Sequence, residues 1–119
     1  MKKRLRHKYG AKRTKRHGKN FPSKLEADVA SILEQMKASG QILFYLWQVP
    51  IHIEGFHPHR VDFLVFTEED AIWIEAKGRD LATGKAMRKL SEAAINCEIH
   101  VVHKAEETYA VIERGGATS

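Results

Sequence analysis

Residues 61–78 read VDFLVFTEEDAIWIEAKG. Two short runs rich in β-branched and aromatic residues flank the polar tetrapeptide TEED, a pattern that predicts two antiparallel strands joined by a tight turn. The turn sets the register. With residues 67–70 forming it, Phe66 lies opposite Ala71, and counting back along both strands brings Asp62 opposite Glu75. Side chains alternate along a strand, so Trp73, Glu75 and Lys77 share one face while Ile72, Ile74 and Ala76 take the other. Strands of this composition are built for burial, yet they carry Asp62, Glu75 and Lys77. Like charges directly across a sheet repel, and burying a charge without a partner is costly.

A divalent cation between the two carboxylates removes the conflict. Carboxylate oxygens are hard ligands that suit Mg²⁺, which also accepts phosphate oxygens. Lys77 on the same face would orient or help deprotonate a water, or offset negative charge developing on a phosphoryl group. The simpler alternative needs no metal: each acid pairs with Lys77 or Arg60 at an exposed strand end.

The remaining elements surround this pair. Residues 23–38 place Leu25, Val29, Ile32, Leu33 and Met36 at helical spacing, with Ser23 as N-cap and Gly40 where the helix should stop. Residues 41–53 predict a strand, with Pro50 marking an edge or bend, and residues 54–60 a loop. Residues 61–66 and 71–77 are the paired strands. A helix over 85–96 turns Met87, Leu90, Ala94 and Ile95 inward, and residues 98–103 form another strand. TYAVIE, 108–113, reads equally as a strand or a helical turn. The order αβββαβ implies an α/β domain, a mixed central sheet flanked by helices.

Charge divides the chain. Residues 1–19 hold ten Lys and Arg and no acid, a formal +10, whereas residues 20–119 hold ten bases against fifteen acids, −5. The first segment predicts a flexible basic N-terminal arm suited to a polyanion, and 20–119 the folded domain. A solubilising tail is the plainer reading. The chain of 119 residues carries no apolar run long enough to span a membrane and no signal-peptide pattern, and its single cysteine, Cys97, fits a reducing compartment. These features predict a cytoplasmic protein.

Asp62, followed after twelve residues by Glu75-Ala76-Lys77, resembles the signature of the PD-(D/E)XK nucleases, with Val61 where the family's name has proline. KYGAK (8–12), SKLEADV (23–29), WQVPIHI (47–53), VDFLV (61–65) and IEAKG (74–78) follow the order and rough spacing of the phage endonuclease I family of junction-resolving enzymes, and of related small phage nuclease-like proteins. The resemblance covers about residues 8–103. It implies a restriction-endonuclease-like core and a Mg²⁺-dependent endonuclease, with Mn²⁺ as a substitute. Asp62, Glu75, the Ala76 carbonyl and Glu26 would hold the metal, and Lys77 would be the catalytic lysine. Glu26 has a second reading, since Ser23-x-x-Glu26 is also a capping box.

The implied partner is branched or junction DNA. Lys2, Lys3, Arg4, Arg6, Lys8, Lys12, Arg13, Lys15, Arg16 and Lys19 would contact it from the arm, and Arg79, Lys85, Arg88 and Lys89 from the start of the second helix. The family also implies a homodimer intertwined through residues 48–61. Weaker candidates are His57 and His59 as transition-metal ligands and Gln48 facing the site or pairing with DNA. Trp47, Trp73 and Cys97 read as core. A nuclease acting on nicked or linear duplex, or a DNA-binding protein on the same scaffold without catalysis, remain alternatives.

Overall fold

A computed structural model describes residues 13–115. Among them, β1 (Thr14–Arg16) and β2 (Lys19–Phe21) form a hairpin, followed by α1 (Lys24–Ala38), β3 (Phe44–Ile51), β4 (His59–Phe66), β5 (Ala71–Ala76), α2 (Ala82–Ile95), β6 (Ile99–Val102) and α3 (Glu107–Glu113). Strands β3 to β6 form one mixed sheet in that order, antiparallel until the last pair, β5 and β6, which run parallel. A parallel pair needs a crossover, and α2 supplies it. The fold is α/β, with the expected αβββαβ succession extended by a hairpin before it and a helix after it. No helix among the described residues is long and apolar enough to cross a membrane.

The central hairpin keeps the register its turn dictates from Phe66↔Ala71 to Phe63↔Ile74, but the ladder stops there and Asp62 and Glu75, expected opposite each other, form no ladder pair. The Thr67 N–H donates to the Asp70 carbonyl at 2.9 Å, the Thr67 hydroxyl accepts from the Asp70 N–H at 2.9 Å, and Phe66 pairs with Ala71. Helix α1 starts where Ser23 accepts from the Glu26 N–H at 3.1 Å and ends before Gly40, whose φ of +82° suits glycine. Its stripe buries Val29, Leu33 and Met36 against Phe63, Val65, Ile72, Ile74 and Val102 of the sheet, with Val111 and Ile112 of α3 closing the same core. Ile51, Val61 and Ile99 form a second cluster with Trp73 and Ile95 of α2.

Three expectations change. Residues 13–19, assigned to a flexible arm, belong largely to a folded hairpin. Its turn residues His17 and Gly18 both take positive φ, 53° and 73°, as a tight two-residue hairpin requires. The hairpin docks because Phe21 is fully buried, edge-on to Trp47 with ring centroids 5.1 Å apart, and because Arg16 reaches Asp28 at 2.6 Å and Ser31 at 3.1 Å on α1. Helix α2 turns Met87, Ser91 and Ile95 toward the sheet, so Leu90 and Ala94, one residue off that stripe, are exposed. Cys97 is exposed rather than buried, because the chain leaves α2 through a left-handed Asn96. The ambiguous TYAVIE segment lies in α3. Lys2, Lys3, Arg4, Arg6, Lys8 and Lys12 lie outside the described residues.

Residues 48–61, the expected point of intertwining, turn back within one chain, where β3 pairs with β4 from Val49↔Val61 to Ile51↔His59. That pairing joins residues 49–51 to residues 59–61 of the same chain.

Phe21→Ala removes the ring that fastens the hairpin to the core. Urea denaturation should show a loss of about 3–5 kcal/mol. A loss below about 1 kcal/mol would mean that the hairpin does not dock.

Candidate active site

Strands β3 and β4 both change character at one level. Trp47 pairs with Phe63 and Val49 with Val61, but Gln48 and Asp62, opposite each other by count, form no ladder pair. Gln48 has a φ of +57°, a left-handed conformation unfavourable for a non-glycine residue. Tyr45, Trp47, Phe63 and Val65 pack with α1, whereas Ile51 and Val61 pack in the cluster that includes Trp73 and Ile99. The facing of both strands therefore reverses across Gln48 and Asp62. The candidate site lies at this break.

Asp62 and Glu26 stand on elements that converge there. Glu26, in the first turn of α1, is 4 % exposed and Asp62 is 9 % exposed. One Glu26 oxygen, Oε2, accepts from the Trp47 indole N–H at 2.6 Å and from the Gln48 amide at 2.8 Å. The capping-box alternative accounts for only half of this arrangement: Ser23 caps the Glu26 N–H, while the Glu26 carboxylate reaches across to β3. The Gln48 amide also reaches Asp62 Oδ1 at 3.4 Å, and the Ala76 N–H donates to Asp62 Oδ2 at 2.8 Å.

Burial, above all, pushes the Asp62 carboxyl well above the usual carboxylate range. The negative charge of Glu26 pushes the same way, and that of Glu75 less strongly. The Ala76 N–H and the Lys77 ammonium act against them. The four other residues proposed for the site thus all act on this one carboxyl. The register leads one to look for repulsion from Glu75; the larger share comes from α1.

Glu75 is 1 % exposed and leans the other way. His59 Nε2 meets its Oε1 at 2.5 Å, and Arg88 of α2 lies 3.8 Å from Oε2, an oxygen that is buried without a hydrogen-bond partner among the described residues. Arg88 is held by two hydrogen bonds to Asp80, at 3.0 and 2.8 Å. The Arg88 guanidinium holds the Asp80 carboxyl below its ordinary range. As the side chains stand, no three His, Cys, Asp or Glu groups among the described residues are gathered closely enough to hold a metal ion.

The backbone of Lys77 is fixed on both sides. Its N–H donates to the Val102 carbonyl at 2.9 Å, and its carbonyl lies 2.7 Å from His103 Nδ1. Two residues proposed as DNA contacts are otherwise engaged, Arg16 with Asp28 and Arg88 with Asp80, while Arg13, Lys15, Lys19, Lys85 and Lys89 are exposed or half-exposed. His57 is exposed in the β3–β4 connection, and His59 serves Glu75. Sequence reasoning did not foresee the roles of Trp47, His59, Asp80 and Arg88. The one available signal was Gln48-Val49-Pro50, a polar residue and a proline inside an apolar strand.

Comparison with protein-family models, with curated proteins and with solved structures found no match.

The raised pKa of Asp62 fixes a pH dependence. From its ordinary value of 3.8 up to the raised one, the folded chain keeps a proton that the unfolded chain has lost. Stability therefore falls as pH rises through that window, and the cost is complete above it. Asp62→Asn removes the titrating group. In chelator, the variant should exceed the parent by more than about 1 kcal/mol at pH 7. The gap should close near pH 4 in denaturant melts. Parallel stability profiles for the two proteins would disprove the assignment.

Proposed function

We propose that the chain is a metal-dependent DNA endonuclease with a restriction-endonuclease-like core, selective for branched or junction DNA. The observation that carries the reading is Asp62. It is a buried acid whose charge is opposed by Glu26 and Glu75, eased by Lys77, and held by the backbone of Ala76. Such a set is hard to explain as structure alone, because an apolar residue would pack there without the repulsion. A strongly perturbed carboxyl set among charged neighbours is a candidate functional site.

The reading calls for a divalent cation, which these residues would hold only after Glu75 turns from His59 and Arg88 toward Asp62. Glu26 and Asp62 offer carboxylate oxygens from two converging elements, and Glu75 keeps a buried oxygen without a hydrogen-bond partner. Asp62, Glu75, Glu26 and the Ala76 carbonyl would hold Mg²⁺ or Mn²⁺. When bound, the cation would lower the pKa of water and withdraw charge from a phosphodiester. The chain's own part is to hold Asp62 against β5 through the Ala76 N–H, to fix Glu26 through Trp47 and Gln48, and to place Lys77 where its ammonium meets developing negative charge. Paired cuts in a junction need two such sites, hence two chains.

The β1–β2 hairpin supports a nucleic-acid partner. It leads directly into the helix that carries Glu26 and presents Arg13 and Lys15 outward. Phosphates bound there would lie beside the carboxylates. One observation favours a competing reading: Glu75 is occupied by His59 and faces Arg88, an arrangement also suited to a DNA-binding scaffold without catalysis.

The deciding experiment compares a four-way junction with a matched linear duplex, in Mg²⁺ and in chelator. Paired, Mg²⁺-dependent cuts confined to the junction are expected. Equal cutting of both substrates would move the substrate class to duplex DNA, and tight binding without cutting would establish the scaffold. Asp62→Ala, Glu75→Ala or Lys77→Ala should each lower the cleavage rate by about 100-fold or more.

Salt dependence tests the hairpin separately. Replacing Arg13, Lys15 and Lys19 together by alanine should reduce the slope of log affinity against log salt by up to about 2.7 for duplex arms, at ~0.9 per phosphate contact. An unchanged slope would remove the hairpin from the interface.

A further inference from the structure

We propose that the free edge of β3 is a docking surface for a second copy of this chain, the two edges pairing antiparallel about Tyr45 so that two sheets become one. Strand β3 ends the sheet order, and among the described residues 44–47 make no backbone hydrogen bonds other than those to β4. An open edge offers its N–H and C=O groups to any strand that reaches it, and folded chains ordinarily guard it with charge, proline or a bulge. Here the guard stands at one end. The left-handed Gln48 and Pro50 interrupt the far half of the edge, whereas residues 42–47 carry no charged side chain. Exposed apolar surface collects at the same place: Leu43 is 52 % exposed, Phe44 44 % and Leu46 44 %. Phe44 also stacks on the partly exposed Phe66 of β4, with ring centroids 4.6 Å apart.

A second copy is the partner that this edge fits. Identical strands that pair antiparallel are related by a two-fold axis, so the contact uses up both β3 edges and closes at two chains. With Tyr45 opposite itself, Phe44 lies opposite Leu46 and Leu43 opposite Trp47. Tyr45 and Trp47 pack toward α1, so Phe44 and Leu46 lie on the other face, where each covers the exposed surface of its counterpart. The pairing buries no charge. At ~150–250 Å² for a large side chain, the exposed parts of Leu43, Phe44 and Leu46 amount to roughly 600 Å² over both copies. The partly exposed Tyr45, Trp47 and Phe66 and the strand backbone raise that toward the ~1,200 Å² at which specific interfaces begin. The dimer is therefore weak and reversible. It sets the two Gln48–Asp62 breaks about 20 Å apart along the joined strands. That arrangement supplies the second chain that paired cuts would need, though the contact itself involves neither cation nor nucleic acid.

The test is sedimentation of the full chain over a concentration series, the parent beside Leu46→Lys. The parent should pass from monomer to dimer as concentration rises and go no further. The lysine should weaken association about 10-fold or more without changing the circular dichroism. Cysteine pairing reads the register in a Cys97→Ser background. Phe44→Cys and Leu46→Cys chains, mixed and oxidised, should form a covalent dimer that neither forms alone, because directly paired residues lie within disulfide reach. A parent that stays monomeric up to about 1 mM would overturn the proposal. So would a dimer that Leu46→Lys leaves intact, growth beyond the dimer, or crosslinks in the unmixed chains. If Leu46→Lys does not fold, the crosslink decides. Cleavage plays no part in either readout: a monomeric parent that cuts a junction fails this proposal alone, and a crosslinked dimer that cuts nothing fails only the nuclease reading.

Discussion

Glu26 and Asp62 bring two carboxylates from different elements into a space largely closed to water, and the surrounding structure is arranged to make that tolerable. Burial above all disfavours the charged form of Asp62, and the negative charge of Glu26 disfavours it again. Indole and amide donors answer Glu26, and a backbone N–H answers Asp62. None of these donors carries a full charge. They satisfy oxygens without adding a countercharge, and the charge on Asp62 stays opposed by burial and by its acidic neighbours. A structural salt bridge would have placed a guanidinium there, as the same chain does for Asp28 with Arg16 and for Asp80 with Arg88. The chain has arginines for its ordinary acids and withholds them from this pair.

The backbone carries part of the cost. A left-handed non-glycine residue is unfavourable by about 1–2 kcal/mol, and Gln48 adopts that conformation within an edge strand whose flanking pairs are intact. The reversal of facing follows at the same level, so that apolar residues on one side of it serve the α1 core and those on the other serve the α2 cluster. One break thus accomplishes two things. It opens the backbone ladder at the level of the Asp62 carboxylate, and it lets a single pair of strands cover helices on both faces of the sheet.

Much of this was legible in the chain because it is local. The β4–β5 register follows from a four-residue turn, the α1 cap from Ser23, and the helix end from Gly40; each depends on residues within a few positions of one another. The pairing of Phe66 with Ala71 and the separation of Trp73 from Ile72 and Ile74 match the count. What escaped is what folding joins across distance. Trp47 and Gln48 meet Glu26 from more than twenty positions away, and His59 meets Glu75 from sixteen. An indole in an apolar strand looks like core, and Trp47 is core as well; only the position of α1 shows which acid its N–H meets. Residues 13–19 differ from expectation for a related reason. Their charge argues for an extended chain, but Phe21 supplies an anchor and Asp28 neutralises Arg16, and composition weighs neither contact.

The same geometry shapes the electrostatics beyond the pocket. Residues 20–119 are net negative, so a polyanion approaching at random meets repulsion over much of the folded part of the molecule. The docked hairpin changes that locally, because its strands run directly into the helix that bears Glu26. If the proposed partner is right, cations fixed beside an acidic pocket would do what a freely moving tail does less well: define where a phosphate chain lies relative to the carboxylates. On the proposed reading, the hairpin would hold the backbone of a nucleic acid while the acids lie beside it. Confining the basic strand to one side of α1 would therefore narrow the ways in which the proposed nucleic-acid partner could lie across the site.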